Sequence, residues 1–428
     1  MTWTNWTGDQ CCRPAEMVRP ATVEELAGHL ADAARRDLVV RALGAGHSFS
    51  EAVLTDGMLI SLDRMSRVLD VDRTSGLVRV QAGIKLRDLN LALDAHGLAL
   101  ENLGDVDVQS LAGATATGTH GTGGRLRNIS AAVVGAEMMT ADGRLREIDA
   151  SSEDLRAVRV NIGELGVVTA LTIQAVPAFT LHAIDAPAEI DDVLADIDRL
   201  VDDNEHFEFY TFPHSPLAHT RTNNRVEGPS RPRSKPRAWF DDMFMRNHVL
   251  GSIFRLQRRF PSTIPAASRT IPRLAGKTER TDRSFEIFAS PRLFRFTEME
   301  YAIPREHAAE VVAEVRRIAD DRSLRVAMPI EVRFVAADDA YLSPSEGRDT
   351  CYIAVHAFDG MPWTDYFDAV EELMRRYRGR PHWGKRHGLG AEELTALYPR
   401  FRDFLEVRER SDPSRRFANP YVDRVLGP

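Results

Sequence analysis

This chain of 428 residues lacks several features, and each absence excludes a class of protein. Its 3 cysteines, Cys11, Cys12 and Cys351, are too few for a disulfide framework or a zinc ligand set. We therefore predict no metal site and a cytoplasmic location. No apolar stretch is long enough to span a bilayer as a helix. The formal net charge of -8 provides no general basic field, which argues against a nucleic-acid partner.

Glycine, in contrast, is concentrated in three short runs in the first half of the chain. The first run, Arg41–Ser50, follows an apolar strand and contains a Gly-Ala-Gly sequence before His47. Such a loop can surround a pyrophosphate with its N–H groups, although a single Gly-x-Gly taken alone favours a tight surface turn. The second run, Ser110–Gly124, has side chains too small to fill a core, and the third is Asn161–Thr169. Three such runs favour a backbone wrapped around an extended ligand.

The glycine runs do not match the dinucleotide fingerprint of nicotinamide enzymes. Phe49 occupies the position at which the first run would need its third glycine. A nicotinamide Rossmann site is therefore disfavoured. Short strands alternate with few helices over residues 1–177, which predicts an α+β domain rather than a doubly wound sheet.

The composition changes after Pro177, where aromatic residues, arginine and proline become more frequent. We predict a second α+β domain over residues 178–402 and a C-terminal segment, 403–428, that packs back on the first domain. The span Pro229–Arg237 is rich in proline, arginine and serine, which predicts a mobile loop.

Polar residues within apolar strands of the second domain are candidates for chemistry. Glu331 and Arg333 are two residues apart in a predicted strand, so both lie on one face. They could form a held ion pair that binds an anion or an ordinary surface salt bridge, and the sequence favours neither. His356 ends another apolar strand and is, taken alone, typical of a structural histidine. The sequence His382–Lys385 predicts a loop, with a basic surface turn as the alternative.

These segments together resemble the signature set of the aldonolactone oxidoreductases, which belong to the FAD-linked oxidases with the vanillyl-alcohol-oxidase fold. The resemblance rests on the three glycine runs and His382–Lys385. It extends to Trp3–Gly8, Phe296–Tyr301 and Asp412–Asn419, and so covers essentially the whole chain. It implies a two-subdomain FAD-binding domain of the PCMH type in residues 1–177 and a cap domain for the substrate in residues 178–402.

The resemblance also implies an activity. It is the oxidation of L-gulono-, L-galactono- or D-arabinono-1,4-lactone at C2, by hydride transfer to N5 of FAD. Either O2 or an acceptor such as cytochrome c or a quinone would then take the electrons. The alternatives are an alditol oxidase acting on xylitol or sorbitol, a flavin-free binding protein, and a peripherally membrane-associated FAD sugar dehydrogenase. Arg231–Arg237 is a weak candidate for membrane docking.

Residue by residue, the resemblance implies a site for FAD. His47 matches the position that is bonded covalently to the flavin 8α-methyl in many relatives. Gly104 matches a position where glycine admits oxygen to the flavin and alanine blocks it. The implied FAD-binding residues are Arg41, Gly44, Ala45, Gly46, His47, Ser48, Gly104, Asp105, Ser110, Gly113, Thr117, Gly118, His120, Gly121, Gly163, Val168, His382 and Lys385.

The resemblance further implies that Glu331, Arg333, His356 and Lys385 are catalytic and contact the substrate. Arg333, held by Glu331, would stabilise the negative charge that develops on the flavin. Lys385 and His356 would hold the substrate hydroxyl and assist its deprotonation. Asp105 stands where alditol oxidase has a substrate-contacting serine, which argues against an open-chain polyol as substrate.

Overall fold

The structure, a computed structural model, describes residues 2–274 and 276–428. The first half of the chain forms mostly short strands with four helices among these residues. The strands are Trp3–Thr4 (β1), Cys11–Cys12 (β2), Glu16–Val18 (β3), Val40–Leu43 (β4), Met58–Ser61 (β5), Val68–Asp72 (β6), Leu77–Gln81 (β7), Leu98–Ala99 (β8), Val133–Met139 (β9), Leu145–Ile148 (β10), Val167–Gln174 (β11) and Val176–Pro177 (β12). The helices are Val23–Arg35 (α1), Leu86–Ala95 (α2), Leu111–Ala116 (α3) and Asp154–Arg159 (α4).

Two sheets organise this half. A parallel three-stranded sheet has the order β3-β5-β4, and an antiparallel five-stranded sheet has the order β10-β9-β11-β7-β6. Helix α1 begins at Thr22, whose hydroxyl oxygen accepts a hydrogen bond from the Glu25 N–H, as the sequence predicts. Its buried face consists of Leu26, Leu30 and Ala33. The first glycine run begins within β4 and continues beyond its end, at the edge of the parallel sheet.

The second half contains one large sheet and the helices that cover it. The strands are Thr180–Glu189 (β13), His206–Thr211 (β14), Leu217–Val226 (β15), Thr278–Arg283 (β16), Phe296–Pro304 (β17), Ile330–Val335 (β18), Thr350–Phe358 (β19) and Arg380–Pro381 (β20). The helices are Ile190–Ala195 (α5), Ile197–Asp203 (α6), Lys235–Ala238 (α7), Leu250–Arg259 (α8), Ile264–Leu274 (α9), Ser284–Phe288 (α10), Ala308–Asp321 (α11), Thr364–Arg376 (α12), Ala391–Leu397 (α13), Phe401–Ser411 (α14) and Pro420–Leu426 (α15). A π-helical stretch, Trp239–Val249, joins α7 to α8.

The eight strands β13–β20 form an antiparallel sheet in the order β16-β13-β15-β14-β18-β19-β17-β20. Alternation along each strand divides the side chains between its two faces. One face is apolar and contributes Phe207, Phe209, Val332, Phe334 and Val355 to the main core. The opposite face is unusually polar, and it is the face that builds the candidate site.

The predicted α+β class is confirmed by these mixed sheets and helices. The predicted loop Pro229–Arg237 is wrong at its end, because Lys235 begins a helix that continues to Arg259. Among the described residues, no helix has both the length and the hydropathy needed to cross a membrane. The cytoplasmic location remains a prediction.

The C-terminal segment contacts the first half of the chain at several points. The Val40 N–H donates to the Arg416 carbonyl at 2.7 Å, and the Asn419 amide donates to the carbonyls of Glu51 and Leu54 at 3.0 and 2.9 Å. These contacts lie beside the first glycine run. The predicted division of the chain at residues 177 and 402 remains a prediction.

Candidate active site

A cavity of about 870 Å³ lies between the polar face of the large sheet and the loops of the first half. Both halves of the chain line it, and eleven of the predicted site residues are among its walls. From the first half these are His47, Ser48, Gly104, Asp105, Thr117 and His120, and from the second half Glu331, Arg333, His356, His382 and Lys385. The residues predicted to be catalytic therefore share one cavity with residues predicted to hold the cofactor.

A second, narrower cavity of about 110 Å³ lies among the three glycine runs. The predicted residues that line it are Arg41, Gly44, Ala45, Gly46, His47, Ser48, Ser110, Gly113, Thr117, Gly163 and Val168. His47, Ser48 and Thr117 line both cavities, so the two spaces adjoin. The fold thus brings together three runs, of which the first and the third are more than a hundred residues apart in the chain.

Two predicted glycines lie outside the walls of both cavities in the part of the chain that the structure describes. Gly118 has φ +76, a conformation that favours glycine, and faces Pro344. A Cβ on Gly121 would lie 2.2 Å from Asn102 Oδ1, so this position needs glycine for packing. Their roles in cofactor binding remain predictions.

The narrow cavity has the features that a pyrophosphate requires. Within the described chain, the backbone N–H groups of residues 45–48 donate to no protein acceptor. Four successive free N–H groups that line a cavity form a site for an anion. A Cβ on Gly44 would lie 2.7 Å from Ser110 Oγ, so the first two runs touch closely enough to exclude any larger residue. These residues fit the pyrophosphate of FAD.

Arg41 is buried beneath this loop, and its guanidinium binds other residues of the protein. It forms an ion pair with Glu164 and donates to the carbonyls of Ile162, at 2.7 Å, and of Phe417. Burial raises the pKa of Glu164 to about 7, although Arg41 opposes this shift. Arg41 therefore ties the first glycine run to the third run and to the C-terminal segment.

His47 stands where the two cavities meet. Its ring stacks on Trp6, with centroids 5.3 Å apart and planes inclined by 22°. Burial, with the positive charges of Lys85 and Lys385, lowers the pKa of His47 to about 4. The imidazole is therefore neutral at pH 7, so one of its ring nitrogens has a free lone pair.

Arg333 lies on β18 with three carboxylates around its guanidinium. Its Nη2 is 2.5 Å from Glu331 Oε1 and 3.7 Å from Asp105 Oδ1, and its Nε donates to Glu208 Oε2 at 2.9 Å. Burial alone would lower the pKa of Arg333, but these carboxylates raise it well above its usual range. The predicted pair of Glu331 and Arg333 is a buried ion pair in the cavity wall. The surface salt bridge considered from the sequence is excluded.

Asp105 reaches Arg333 from the loop of the first half and also pairs with Arg292 at 2.9 Å. Burial would raise the pKa of Asp105, but Arg333 and Arg292 hold it well below its usual range. Asp105 is therefore an anion that joins the two halves of the chain across the cavity.

Lys385 and His356 share one carboxylate, Glu298 on β17. Lys385 Nζ lies 2.5 Å from Glu298 Oε2, and His356 Nε2 lies 3.6 Å from Glu298 Oε1. The His356 Nδ1 lies 2.9 Å from the Pro329 carbonyl, which leaves Nε2 facing the cavity. Burial would lower the pKa values of both bases, but Glu298 raises them. Lys385 is therefore a cation, and His356 is a stronger base than an ordinary histidine.

The loop His382–Lys385 is anchored from beneath. Trp383 is fully buried, and its ring N–H donates to the Leu342 carbonyl at 2.6 Å. The alternative of a basic surface turn is therefore wrong.

Two histidines complete the wall below Lys385. His120 Nε2 lies 3.1 Å from Glu300 Oε1, and its ring stacks on Tyr352. The ligand atoms of His120, Glu300 and His382 lie within 4.8 Å of one another, a spacing that could hold a metal ion. His382 Nδ1 already accepts a hydrogen bond from the Gly384 N–H at 3.0 Å. The expectation that no metal binds remains a prediction.

Sequence reasoning did not assign roles to several charged residues of this wall. Glu298 and Glu300 lie two residues apart in the apolar strand β17, the same signal that identified Glu331 and Arg333. Glu208 and Tyr210 show the same spacing of polar residues in β14, where the Tyr210 hydroxyl donates to Glu331 Oε1 at 3.0 Å. Arg292 lies in an irregular segment and carried no such signal.

Comparison with known proteins adds independent evidence. A family model described as D-arabinono-1,4-lactone oxidase matches residues 171–425, and one described as FAD binding domain matches residues 14–149. An L-gulono-1,4-lactone dehydrogenase of Mycobacterium tuberculosis is 47% identical over 426 residues, covering 100% of this chain and 99% of that protein. An L-gulonolactone oxidase of Bos taurus is 35% identical and covers 99% and 97% of the two chains. A solvent-stable cholesterol oxidase superposes with a TM-score of 0.86 over 100% of this chain and 97% of the other; at 17% identity this likeness concerns the fold alone.

Proposed function

The chain belongs to the FAD-dependent aldonolactone oxidoreductases, and from that membership we propose how its own residues carry out the reaction. The enzyme oxidises a CH–OH group of an aldono-1,4-lactone with FAD as cofactor, on the fold of the vanillyl-alcohol oxidases. We propose that the group oxidised is the C2 hydroxyl and that the substrate is the gulono-, galactono- or arabinono-lactone. When bound, FAD accepts a hydride from that carbon.

One observation carries this proposal. Arg333, His356 and Lys385 line the same cavity as His47 and Gly104. Residues able to hold a hydroxyl and stabilise charge therefore face the residues predicted to surround the flavin ring. A binding protein without redox chemistry would not need a base and two fixed cations on one cavity wall.

Arg333 supplies a preorganised positive charge. Its guanidinium is fixed by Glu331 and Glu208, which bind Nη2 and Nε and leave Nη1 without a protein partner among the described residues. A cation held in this way loses little energy to reorganisation when negative charge develops beside it. We assign Arg333 to stabilise that charge, with Glu331 and Glu208 as positioning residues.

His356 and Lys385 act on the substrate hydroxyl. Lys385, a cation fixed by Glu298, donates to the hydroxyl oxygen and favours loss of its proton. His356 Nε2 accepts that proton, and Glu298 stabilises the imidazolium that forms. The proton of the hydroxyl thus passes to His356 while the hydride leaves the carbon. The substrate therefore carries no net charge after the two transfers.

A substrate panel tests this proposal. The FAD-loaded enzyme is assayed with gulono-, galactono- and arabinono-1,4-lactones and with xylitol, using an artificial electron acceptor. We expect kcat/KM for at least one lactone to exceed that for xylitol by a hundredfold or more, because we assign Asp105 to the position at which alditol oxidase has its substrate-contacting serine. Equal or better turnover of xylitol would assign the enzyme to the alditol oxidases instead.

We also propose that His47 is bonded to the flavin. Its lowered pKa keeps the ring neutral, so a nitrogen lone pair would be available to form the bond. The 8α-methyl would lose a proton as the C–N bond forms, the two electrons of its C–H bond would reduce the flavin, and the acceptor used in turnover would reoxidise it. Yellow colour that stays with the protein after acid precipitation, and is lost to the supernatant in His47→Ala, is the expected result. Colour released from the wild-type protein would contradict the bond and leave FAD binding intact.

A basic and apolar surface favours peripheral membrane association of this enzyme. Residues 229–277 contain eleven Lys and Arg, two Asp and no Glu, although the whole chain has a net charge of -8. Their helices expose Trp239, Phe240, Phe244 and Met245 to solvent, and Arg237 and Met245 also line the cavity. Exposed aromatic residues among cations are typical of helices that lie on an anionic bilayer.

Vesicle binding tests this surface. The FAD-loaded enzyme is sedimented with vesicles of phosphatidylglycerol and phosphatidylcholine, and with vesicles of phosphatidylcholine alone. We expect binding to the anionic vesicles, weakened by salt and by Phe240→Ser with Phe244→Ser, but not by Leu69→Ser, an equally exposed leucine in β6. Self-association without vesicles would identify a second copy as the partner and contradict membrane docking.

A further inference from the structure

The cavity extends well beyond the residues assigned to catalysis. Arg333 is on β18, whereas the far end of the cavity is lined by β15, β13 and β16. With strands about 4.8 Å apart, the four steps from β18 to β16 cover roughly 19 Å, several times the width of a sugar lactone. We call the part lined by Asp185, Arg221, Arg233, Arg246 and Arg280 the outer chamber.

Four arginines from separate elements converge in the outer chamber. Two of them are paired: Arg221 with Asp185 at 2.5 Å, and Arg233 with Asp241 at 3.1 Å. The other two have no carboxylate within hydrogen-bond distance among the described residues. Arg246 Nη2 lies 3.7 Å from Asp185, and Arg280 donates only to the carbonyls of Glu286 and Ile287 at 2.9 and 3.1 Å.

The acidic groups nearest these two cations include Asp185 and Asp242, and each of these is bound more closely by another arginine, Asp185 by Arg221 and Asp242 by Arg233. Asp185 and Asp241 are engaged by the paired arginines, and Glu279 is bound by Lys277 Nζ at 2.7 Å. Burial and the neighbouring Arg221 lower the pKa of Arg246 to about 10, and burial and Arg233 lower that of Arg280. Arg246 and Arg280 therefore both lie near Arg221, and an anion bound beside such a cluster of half-buried guanidinium groups stabilises it.

We propose that the outer chamber binds an oxyanion of the phosphate class through Arg246 and Arg280. The planar guanidinium matches the oxygens of a phosphate and can bind two of them at once. The phosphate is either carried by the substrate, at the end remote from the carbon that is oxidised, or arrives as a free anion. The first source rests on the proposed function, whereas the second does not.

Calorimetry on the FAD-loaded enzyme tests the site itself. In this form the cofactor fills its own pyrophosphate site, so inorganic pyrophosphate added as the probe reports on other sites. We expect binding that weakens about tenfold or more in Arg246→Gln and in Arg280→Gln, as for the loss of a charge-assisted hydrogen bond. Arg255→Gln is the matched control, because Arg255 is exposed on α8 and lines neither of the two cavities described above. Absence of pyrophosphate binding, or equal binding in all four proteins, would overturn the proposal.

Kinetics distinguish the two sources of the phosphate. L-Gulono-1,4-lactone and its 6-phosphate are compared as substrates in the wild-type enzyme and the same variants. A KM at least tenfold lower for the phosphate ester, with the advantage lost in Arg246→Gln and Arg280→Gln, assigns the phosphate to the substrate. Equal KM values, with pyrophosphate still bound in calorimetry, assign the chamber to a free anion. If neither lactone is oxidised, the proposed substrate fails, but calorimetry still decides the anion site.

Discussion

Two buried arginines, Arg41 in the first half and Arg333 in the second, have nearly the same exposure and opposite surroundings. Arg41 pairs with Glu164 and donates to the carbonyls of Ile162 and Phe417. Arg333 is surrounded by side-chain carboxylates and lines the large cavity, whereas Arg41 lines the narrow cavity. Burial and charge alone therefore do not separate a structural arginine from a functional one. The distinction lies in what the guanidinium contacts.

Main-chain carbonyls indicate a structural role because they belong to segments that the arginine joins. Carboxylates around a cavity indicate a functional role because they hold the cation in place while one side of it stays accessible to a ligand. The comparison leads to four predictions, which decrease in expected effect.

The largest effect is expected from Arg41→Met, on stability. The change leaves Glu164 buried without its partner, and it removes the contacts that hold the first glycine run to the third run and to the C-terminal segment. We expect it to lower the free energy of unfolding by roughly 3–5 kcal/mol. Without Arg41 the pKa of Glu164 rises further above its present value of about 7. A raised folded-state pKa means that stability is lost as pH increases through it, so the variant should be weakest at alkaline pH. Urea unfolding at pH 6 and pH 8 measures both effects.

Arg410→Met is the control for this change. Arg410, in the C-terminal segment, pairs with Asp154 of the first half at 2.9 Å but is more than half exposed. We expect it to cost less than about 1 kcal/mol. A similar loss in the two variants would mean that Arg41 does not tie the glycine runs together.

Arg333→Lys should reduce turnover rather than stability. A lysine keeps the charge but cannot bind Glu331 and Glu208 at once, so the cation is no longer held in place. We expect kcat to fall by roughly 10²–10³-fold, as when one preorganised donor is removed from an active site. Steady-state kinetics of the FAD-loaded variant provide the measurement, with Arg410→Lys, at an exposed ion pair with Asp154, as the control that should retain turnover. Near-normal turnover in Arg333→Lys and Arg333→Ala would remove the assignment.

The sequence predicts one partner of Arg333 but not the others, for a physical reason. Alternation along a strand places Glu331 beside Arg333, since both belong to β18. Glu208 lies 125 residues away and meets Arg333 only because β14 pairs with β18 in a specific register. Pairing between strands distant in the chain depends on the whole sheet and is not encoded in a local pattern.

The glycine runs illustrate the opposite case. Their small side chains predict a backbone that approaches a ligand, and the runs do line one cavity. The contacts that hold them there, such as Arg41 with Phe417, join segments 376 residues apart. Local composition therefore predicts which segments line the cavity, whereas the residues that position those segments emerge only from the fold.

Glu298→Gln tests whether the proposed base depends on its carboxylate, as Arg333 depends on Glu331. Glu298 raises the pKa of His356, and His356 must be neutral to accept a proton. Removing the charge lowers that pKa, so activity should persist to lower pH. We expect the acidic limb of kcat/KM to shift by about one pH unit, a change of about 1.4 kcal/mol. Glu300→Gln is the control, because Glu300 contacts His120 rather than His356. An unchanged acidic limb would exclude His356 as the group that titrates.

The smallest effect is expected at Gly104, which belongs to the first half and lines the same cavity as Arg333. An added Cβ would lie 3.1 Å from the His120 carbonyl oxygen and 3.7 Å from Thr119 Cγ2, so the backbone must shift by only a few tenths of an ångström. Gly104→Ala should therefore fold normally and oxidise lactone at an unchanged rate with an artificial acceptor. We expect the hydrogen peroxide formed per lactone oxidised to fall several-fold, because the methyl group narrows the path for O2 into the cavity. Peroxide and dye reduction, measured in parallel, test this. A wild-type enzyme that forms no peroxide would show that Gly104 alone does not admit oxygen. A loss of both peroxide formation and dye reduction in Gly104→Ala would show that the added methyl group disturbs the site instead.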